Sequence, residues 1–183
     1  MGYLNERGRP EPPAAGNDID TLLGELERVR ATFAWKCGGL DHDGLTATVG
    51  ASTLTLGGLL KHLALVEAIT FALKFGGEDP GPPWNEVDFD ADPEWEFRSA
   101  AQDSPDDLFA MWQAAAQRSR LIVDEALADG GLDQPSRMTW SDGRSPSLRR
   151  LMIDMVEEYA RHTGHADLIR ESVDGLVGED PPD

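Results

Sequence analysis

Leu148-Arg-Arg-Leu-Met-Ile-Asp-Met-Val-Glu-Glu-Tyr-Ala-Arg-His-Thr-Gly-His-Ala-Asp-Leu-Ile-Arg-Glu-Ser172 decides how this chain folds. Leu148, Leu151, Met152, Met155, Tyr159, Ala166 and Ile169 recur at three- and four-residue steps, which is one face of a helix. Glu158, His162 and His165 fall on that same apolar face, and Asp154 lies one turn before Glu158 on its flank. Ionisable groups on a buried face cost several kcal/mol unless they find hydrogen-bond partners or a metal, roughly as buried charges do in general.

Three further segments carry the same period. Ile19, Leu22, Leu26, Val29, Phe33 and Cys37 mark a helix from about Asn17 to Cys37, ended by Gly38-Gly39. Leu56, Leu59, Leu63, Val66, Thr70 and Leu73 mark a second from about Thr55 to Phe75, with Thr55 as N-cap and Gly76-Gly77 as the stop. Ser104-Pro-Asp-Asp opens the third with an N-cap, a proline in the first turn and an acid at N3. Its stripe is Leu108, Met111, Trp112, Ala115, Ser119, Ile122 and Ala126. The fourth begins near Ser145-Pro-Ser-Leu and stops before Gly175. No strand pattern is present, so the expected fold is all-α: a four-helix bundle over 17–176 with flexible tails at 1–16 and 177–183. The connection between the second and third helices, 76–104, is long, acidic and proline-rich, and holds Trp84, Phe89, Trp95 and Phe97. Such a loop either pins a crossover or covers a site.

The 183 residues suit one domain, and 40% hydrophobic content supports a core. With 16 Lys+Arg against 34 Asp+Glu the net charge is −18, which argues against binding nucleic acid or an anionic membrane surface. One cysteine excludes an internal disulfide, and no secretory signal or spanning segment is recognised, so a cytoplasmic location is expected. Cys37 reads as core or interface, and His42 as a solvated loop residue.

On the second helix His62 sits between Leu59 and Val66, along the edge of the apolar stripe. An inward His there can meet Glu158 and His162 of the last helix, the way bundle metal sites are built. Two imidazoles and a carboxylate suit Zn²⁺, Ni²⁺ or Fe²⁺. Spacing alone favours the alternative, satisfied core or surface histidines, over metal ligands. Gly164 in a helix interior costs about 1 kcal/mol against Ala, which suggests close approach by a neighbour or a ligand. A di-iron centre needs a second Glu-x-x-His helix, and none is present.

The segment Glu157-Glu-Tyr-Ala-Arg-His-Thr-Gly-His-Ala-Asp-Leu-Ile-Arg-Glu171 resembles the last-helix signature of the DinB-like superfamily, in its actinobacterial branch related to mycothiol-dependent enzymes. Thr55-Leu-Gly-Gly-Leu-Leu-Lys-His-Leu-Ala-Leu-Val-Glu67 is similar to the second-helix motif that carries a metal histidine. The resemblance covers about 18–176 and implies a DinB-like four-helix bundle holding one divalent metal, zinc foremost, with nickel or iron as alternatives. It implies ligands at His62, Glu158 and His162, in an arrangement similar to maleylpyruvate isomerase. His165 stands where many members carry Gln, and Asp154 where this branch often carries His. Both are expected beside the ligands or substrate. By position Arg161 and Arg170 are expected at the bundle rim, either meeting substrate carboxylates or standing as surface charges.

The implied activity is thiol S-transfer or isomerisation, in which a metal-bound thiolate of a low-molecular-weight thiol such as mycothiol attacks an electrophile. The implied partners are therefore a small thiol and an electrophile, and the resemblance suggests a homodimer. A metal-dependent hydrolase using bound water and a non-catalytic metal-binding or stress-response bundle are the other readings.

Overall fold

Each of the four long stripes becomes a helix whose ends the sequence marks. The computed structural model describes residues 4–182. The fold is all-α: α1 (Asp18–Cys37), α2 (His42–Thr46), α3 (Leu56–Glu67), α4 (Trp95–Ser99), α5 (Pro105–Asp129) and α6 (Leu148–Asp174). The Asn17 side chain accepts from the Asp20 amide at 2.9 Å, and Thr55 from Gly58 at 3.0 Å. Ser104 accepts from the Asp107 amide at 3.1 Å and donates to its carboxylate at 2.7 Å, closing the expected cap. Ser147 caps α6. Among the described residues there is no strand, only two isolated antiparallel bridges.

The second segment departs from its expected period. After Glu67 the helix widens to π turns over Ala68–Gly76, closed by Gly77 in the left-handed conformation. The wider turn shifts the register, so Leu73 is exposed while Phe71, Ala72 and Phe75 are buried. Leu56–Gly76 is also long and apolar enough to cross a membrane, contrary to expectation, but most of it is buried within the bundle.

α1 packs along α6, α3 lies between α5 and α6, and Phe33, Trp112 and Tyr159 meet at the centre. The Phe33 ring stands edge-on to Tyr159 at 5.9 Å. A polar seam crosses this core and joins all four long helices. Arg30 of α1 clasps Glu67 of α3 through Nε and Nη2, both at 2.7 Å. Tyr159 of α6 donates to Glu67 Oε1 at 2.8 Å, and Trp112 Nε1 of α5 donates to the Tyr159 hydroxyl at 2.8 Å. Arg30 Nη1 continues to Glu27 at 2.7 Å, which Arg120 of α5 also holds.

Burial pushes the Glu27 carboxyl up, but the Arg120 hydrogen bonds and the charges of Arg30 and Arg120 outweigh it, so its pKa lies below the ordinary 4.5. A depressed carboxyl contributes stability above its unfolded pKa and loses it as pH falls through the folded value. Stability of the wild type should therefore drop more steeply than that of Glu27→Gln below about pH 4.5, read by urea unfolding at each pH. Parallel curves would refute this.

The ends of the bundle are tied by charge. Arg170, whose sequence position suggested the rim, is buried and donates to the Lys36 and Gly38 carbonyls at the end of α1, at 3.1 and 2.6 Å. Lys36 pairs with Asp167 at 2.6 Å. Arg9 of the N-terminal segment reaches Asp180 at 2.6 Å, and Arg28 bonds both Glu11 and Glu179. The segments flanking the bundle thus meet each other on α1.

Candidate metal centre

α3 and α6 deliver the cluster. Thr55 fixes the start of α3 and Ser147 that of α6, and packing of Leu59 and Leu63 with Met155 and Tyr159 in one core sets their facing sides. His62 Nε2 and His162 Nε2 each lie 3.1 Å from Glu158 Oε1. One ligand atom from each of the three residues lies within 4.8 Å of the others. The His62 and His162 rings meet edge to face at 4.8 Å.

Each imidazole is held from behind by its other nitrogen. His162 Nδ1 is 3.3 Å from His165 Nδ1. His62 Nδ1 is 3.0 Å from Glu96 Oε1, a buried carboxylate on α4. The next residue, Phe97, stacks on the His62 ring with centroids 4.7 Å apart. Gly58 of α3 faces this ring: a Cβ there would stand 3.2 Å from Cδ1 of Phe97, a tight contact that the ring would have to yield to.

The charges respond to one another. Burial lowers the His62 pKa, but hydrogen bonds to Glu96 and Glu158 outweigh it, and the net shift is upward. His162 is held below its ordinary value by burial and by the charge of His62. Burial raises the Glu158 carboxyl, yet His62 and His162 hold it below the carboxylate norm. The Glu158 side chain is 29% exposed, so the cluster opens to solvent. A cavity of about 350 Å³ between the N-terminal segment, α1 and α5 contains none of these residues.

The other expected site residues separate. His165 stays against His162, on the side away from Glu158. Asp154 pairs with Arg150 at 2.7 Å, and Arg161 pairs with Glu157 at 3.6 Å and is 61% exposed. Neither contacts the three cluster residues. His42 is exposed, as expected, but it opens the short helix α2 and its Nε2 lies 3.1 Å from the Ala101 carbonyl oxygen. Cys37 is fully buried, and burial pushes its thiol far above the ordinary range.

Gly164 also differs from expectation. A Cβ there would meet nothing within 4 Å, so no neighbour requires the glycine. Gly164→Ala should stabilise the protein by about 0.5–1 kcal/mol through helix propensity, measured by urea unfolding. A destabilised variant would show that the glycine is needed.

Glu96 was missed by the sequence reading. It lies in a loop, at no periodic spacing from the histidines, and only its position between Trp95 and Phe97 hints at docking. The loop aromatics do pin the crossover: Trp84 and Phe89 both stand edge-on to Trp95, at 6.3 and 6.4 Å. Lys61 Nζ lies 4.4 Å from the Trp95 ring centroid and 2.5 Å from Asp103.

Residues 21–175 match the family described as mycothiol-S-transferase. The chain belongs to the mycothiol S-transferase family. As a mycothiol S-transferase family member it is DinB-like and mycothiol-related, as the last-helix resemblance implied. The matched span begins within α1 and ends at the Gly175 cap, so it includes all four long helices and the whole cluster. No curated protein shows significant sequence similarity to the chain.

Proposed function

We propose that this mycothiol S-transferase family member uses one divalent cation, zinc foremost, to transfer a low-molecular-weight thiol, mycothiol foremost, onto an electrophile. The observation that carries the reading is the convergence of His62 Nε2, His162 Nε2 and a Glu158 oxygen, with both Nδ1 atoms engaged elsewhere. The donor set fits such a cation: two imidazoles and a carboxylate make three protein ligands, as in open catalytic sites. His62, Glu158 and His162 would hold it, and its charge would favour the thiolate form of a small thiol near neutral pH.

The chain's own residues fit that task. Glu158 Oε1 lies between both Nε2 atoms and would balance part of the charge of a cation held there. The buried Cys37 supplies no nucleophile, so the sulfur comes from the cosubstrate. In the transfer the sulfur forms a bond to carbon, the thiol proton passes to solvent, and the leaving group departs with its electron pair. A hydrolase would be favoured by a general base beside the bound water, such as His165 or Asp154. Asp154 is engaged by Arg150, and His165 meets His162 through its Nδ1 on the side away from Glu158, which supports thiol transfer over hydrolysis. Isomerisation through reversible thiol addition uses the same groups. A reducing cytoplasm, where the lone thiol stays reduced and mycothiol serves as cosubstrate, suits this function.

The test is a screen of mycothiol, bacillithiol and glutathione with a model electrophile on the zinc-loaded protein. Conjugation with at least one thiol is expected. None, despite full loading, would reject the thiol reading.

A further inference from the structure

Glu96 is a buried carboxylate with a single partner. It is 4% exposed; its Oε1 lies 3.0 Å from His62 Nδ1, and its Oε2 is buried with no hydrogen-bond partner. Burying a carboxylate costs several kcal/mol unless a partner offsets it, and packing alone would be served better by an apolar residue. The polar contact this side chain does make is to one ring nitrogen, through Oε1. Phe97 holds the face of the same ring, so consecutive residues of α4 grip His62 by edge and face. The grip is anchored by Lys61, the neighbour of His62, through Trp95 and Asp103.

We propose that Glu96 is a positioning residue for the metal centre: it holds the proton on His62 Nδ1, leaves Nε2 as the donor facing Glu158 and His162, and so couples the docking of the 76–104 loop to metal affinity. The inference rests on the proposed metal function. Physically, a carboxylate behind a ligating imidazole fixes its tautomer and orientation and makes it a stronger donor. The two imidazoles then differ: His62 is backed by a negative charge on a loop, whereas His162 is backed by His165 from its own helix. Loss of the loop contact would weaken His62 and leave His162 as it is.

The test measures zinc affinity of the full chain by chelator competition for wild type, Glu96→Ala, Glu96→Gln and Asp92→Ala. Asp92 pairs with Arg98 on the same loop and touches no cluster residue, so its variant controls for the loss of a loop carboxylate that does not meet His62. Glu96→Ala should bind zinc about 10–100-fold more weakly, the usual loss for an outer partner of a metal ligand. Glu96→Gln should lose less, because the amide oxygen still accepts from Nδ1, and Asp92→Ala should match the wild type. The zinc-loaded wild type should show a slowly exchanging His62 Nδ1–H proton in NMR spectra that is missing in Glu96→Ala.

Unchanged affinity in Glu96→Ala, or an equal loss in Asp92→Ala, would overturn the proposal. Should Glu96→Ala fail to fold, Glu96→Gln decides alone, and wild-type affinity there would overturn it. A wild type that takes up no zinc would reject the metal reading itself, and this inference with it. Zinc uptake by the wild type with no effect at Glu96 would reject this inference only.

Discussion

His162→Ala should abolish stoichiometric metal binding and, with it, thiol conjugation. Three protein donors are the minimum of an open metal site, and the substitution leaves a carboxylate and one imidazole. Glu158 Oε1 would lose one of the two Nε2 atoms it lies between, and His165 would lose its Nδ1 partner. The loss in zinc affinity should exceed the 10–100-fold or so expected for outer partners. Mass spectrometry under native conditions gives the metal content directly: about one zinc per wild-type chain and near none in the variant. His162 is 8% exposed and borders solvent, so truncation should leave the helical spectrum intact. Equal metal content in the two proteins would reject the assignment of His162. Equal conjugation rates with metal lost from both would show that the metal is not needed for turnover.

Glu67→Ala should be the most destabilising single change, costing about 3–5 kcal/mol. The carboxylate is fully buried and takes hydrogen bonds from Arg30 and Tyr159. Removing it leaves the Arg30 guanidinium, itself 3% exposed, with only Glu27 to balance it. An orphaned buried charge carries roughly that penalty, whereas replacing both partners with apolar residues of similar volume is often neutral or stabilising. The double variant Arg30→Met with Glu67→Leu should therefore recover most of the loss. Chemical denaturation of the wild type and both variants checks this. A Glu67→Ala cost below about 1 kcal/mol would show that the seam carries little of the stability, and a double variant as unstable as the single would show that the orphaned Arg30 charge is not the cause of the loss.

The last helix was the most legible part of the chain. All seven apolar positions of its stripe are buried, and its cap and stop stand where the sequence put them. A regular 3.6-residue period with a serine before it and a glycine after it leaves little freedom. Helix α3 was legible only to Glu67. Beyond it the π turns turn Leu73 outward, because a wider turn advances each side chain by a different angle than the periodic pattern assumes. His62, Glu158 and His162 were each visible as polar residues on or beside apolar faces, and the structure brings them together. Asp154 and Arg161 were visible in the same way, but each has a charged neighbour one helical turn away on α6 and pairs there.

Period and caps are local properties, so the positions of the four long helices, the apolar side of α6 and of α3 up to Glu67, and the residue types available to a metal follow from the chain alone. That Glu67 meets Arg30 and Tyr159, and that Glu96 stands behind His62, follows only from how the helices pack. Those contacts span 34 to 92 residues along the chain. No helical period relates such residues; packing of the whole bundle brings them within hydrogen-bonding distance.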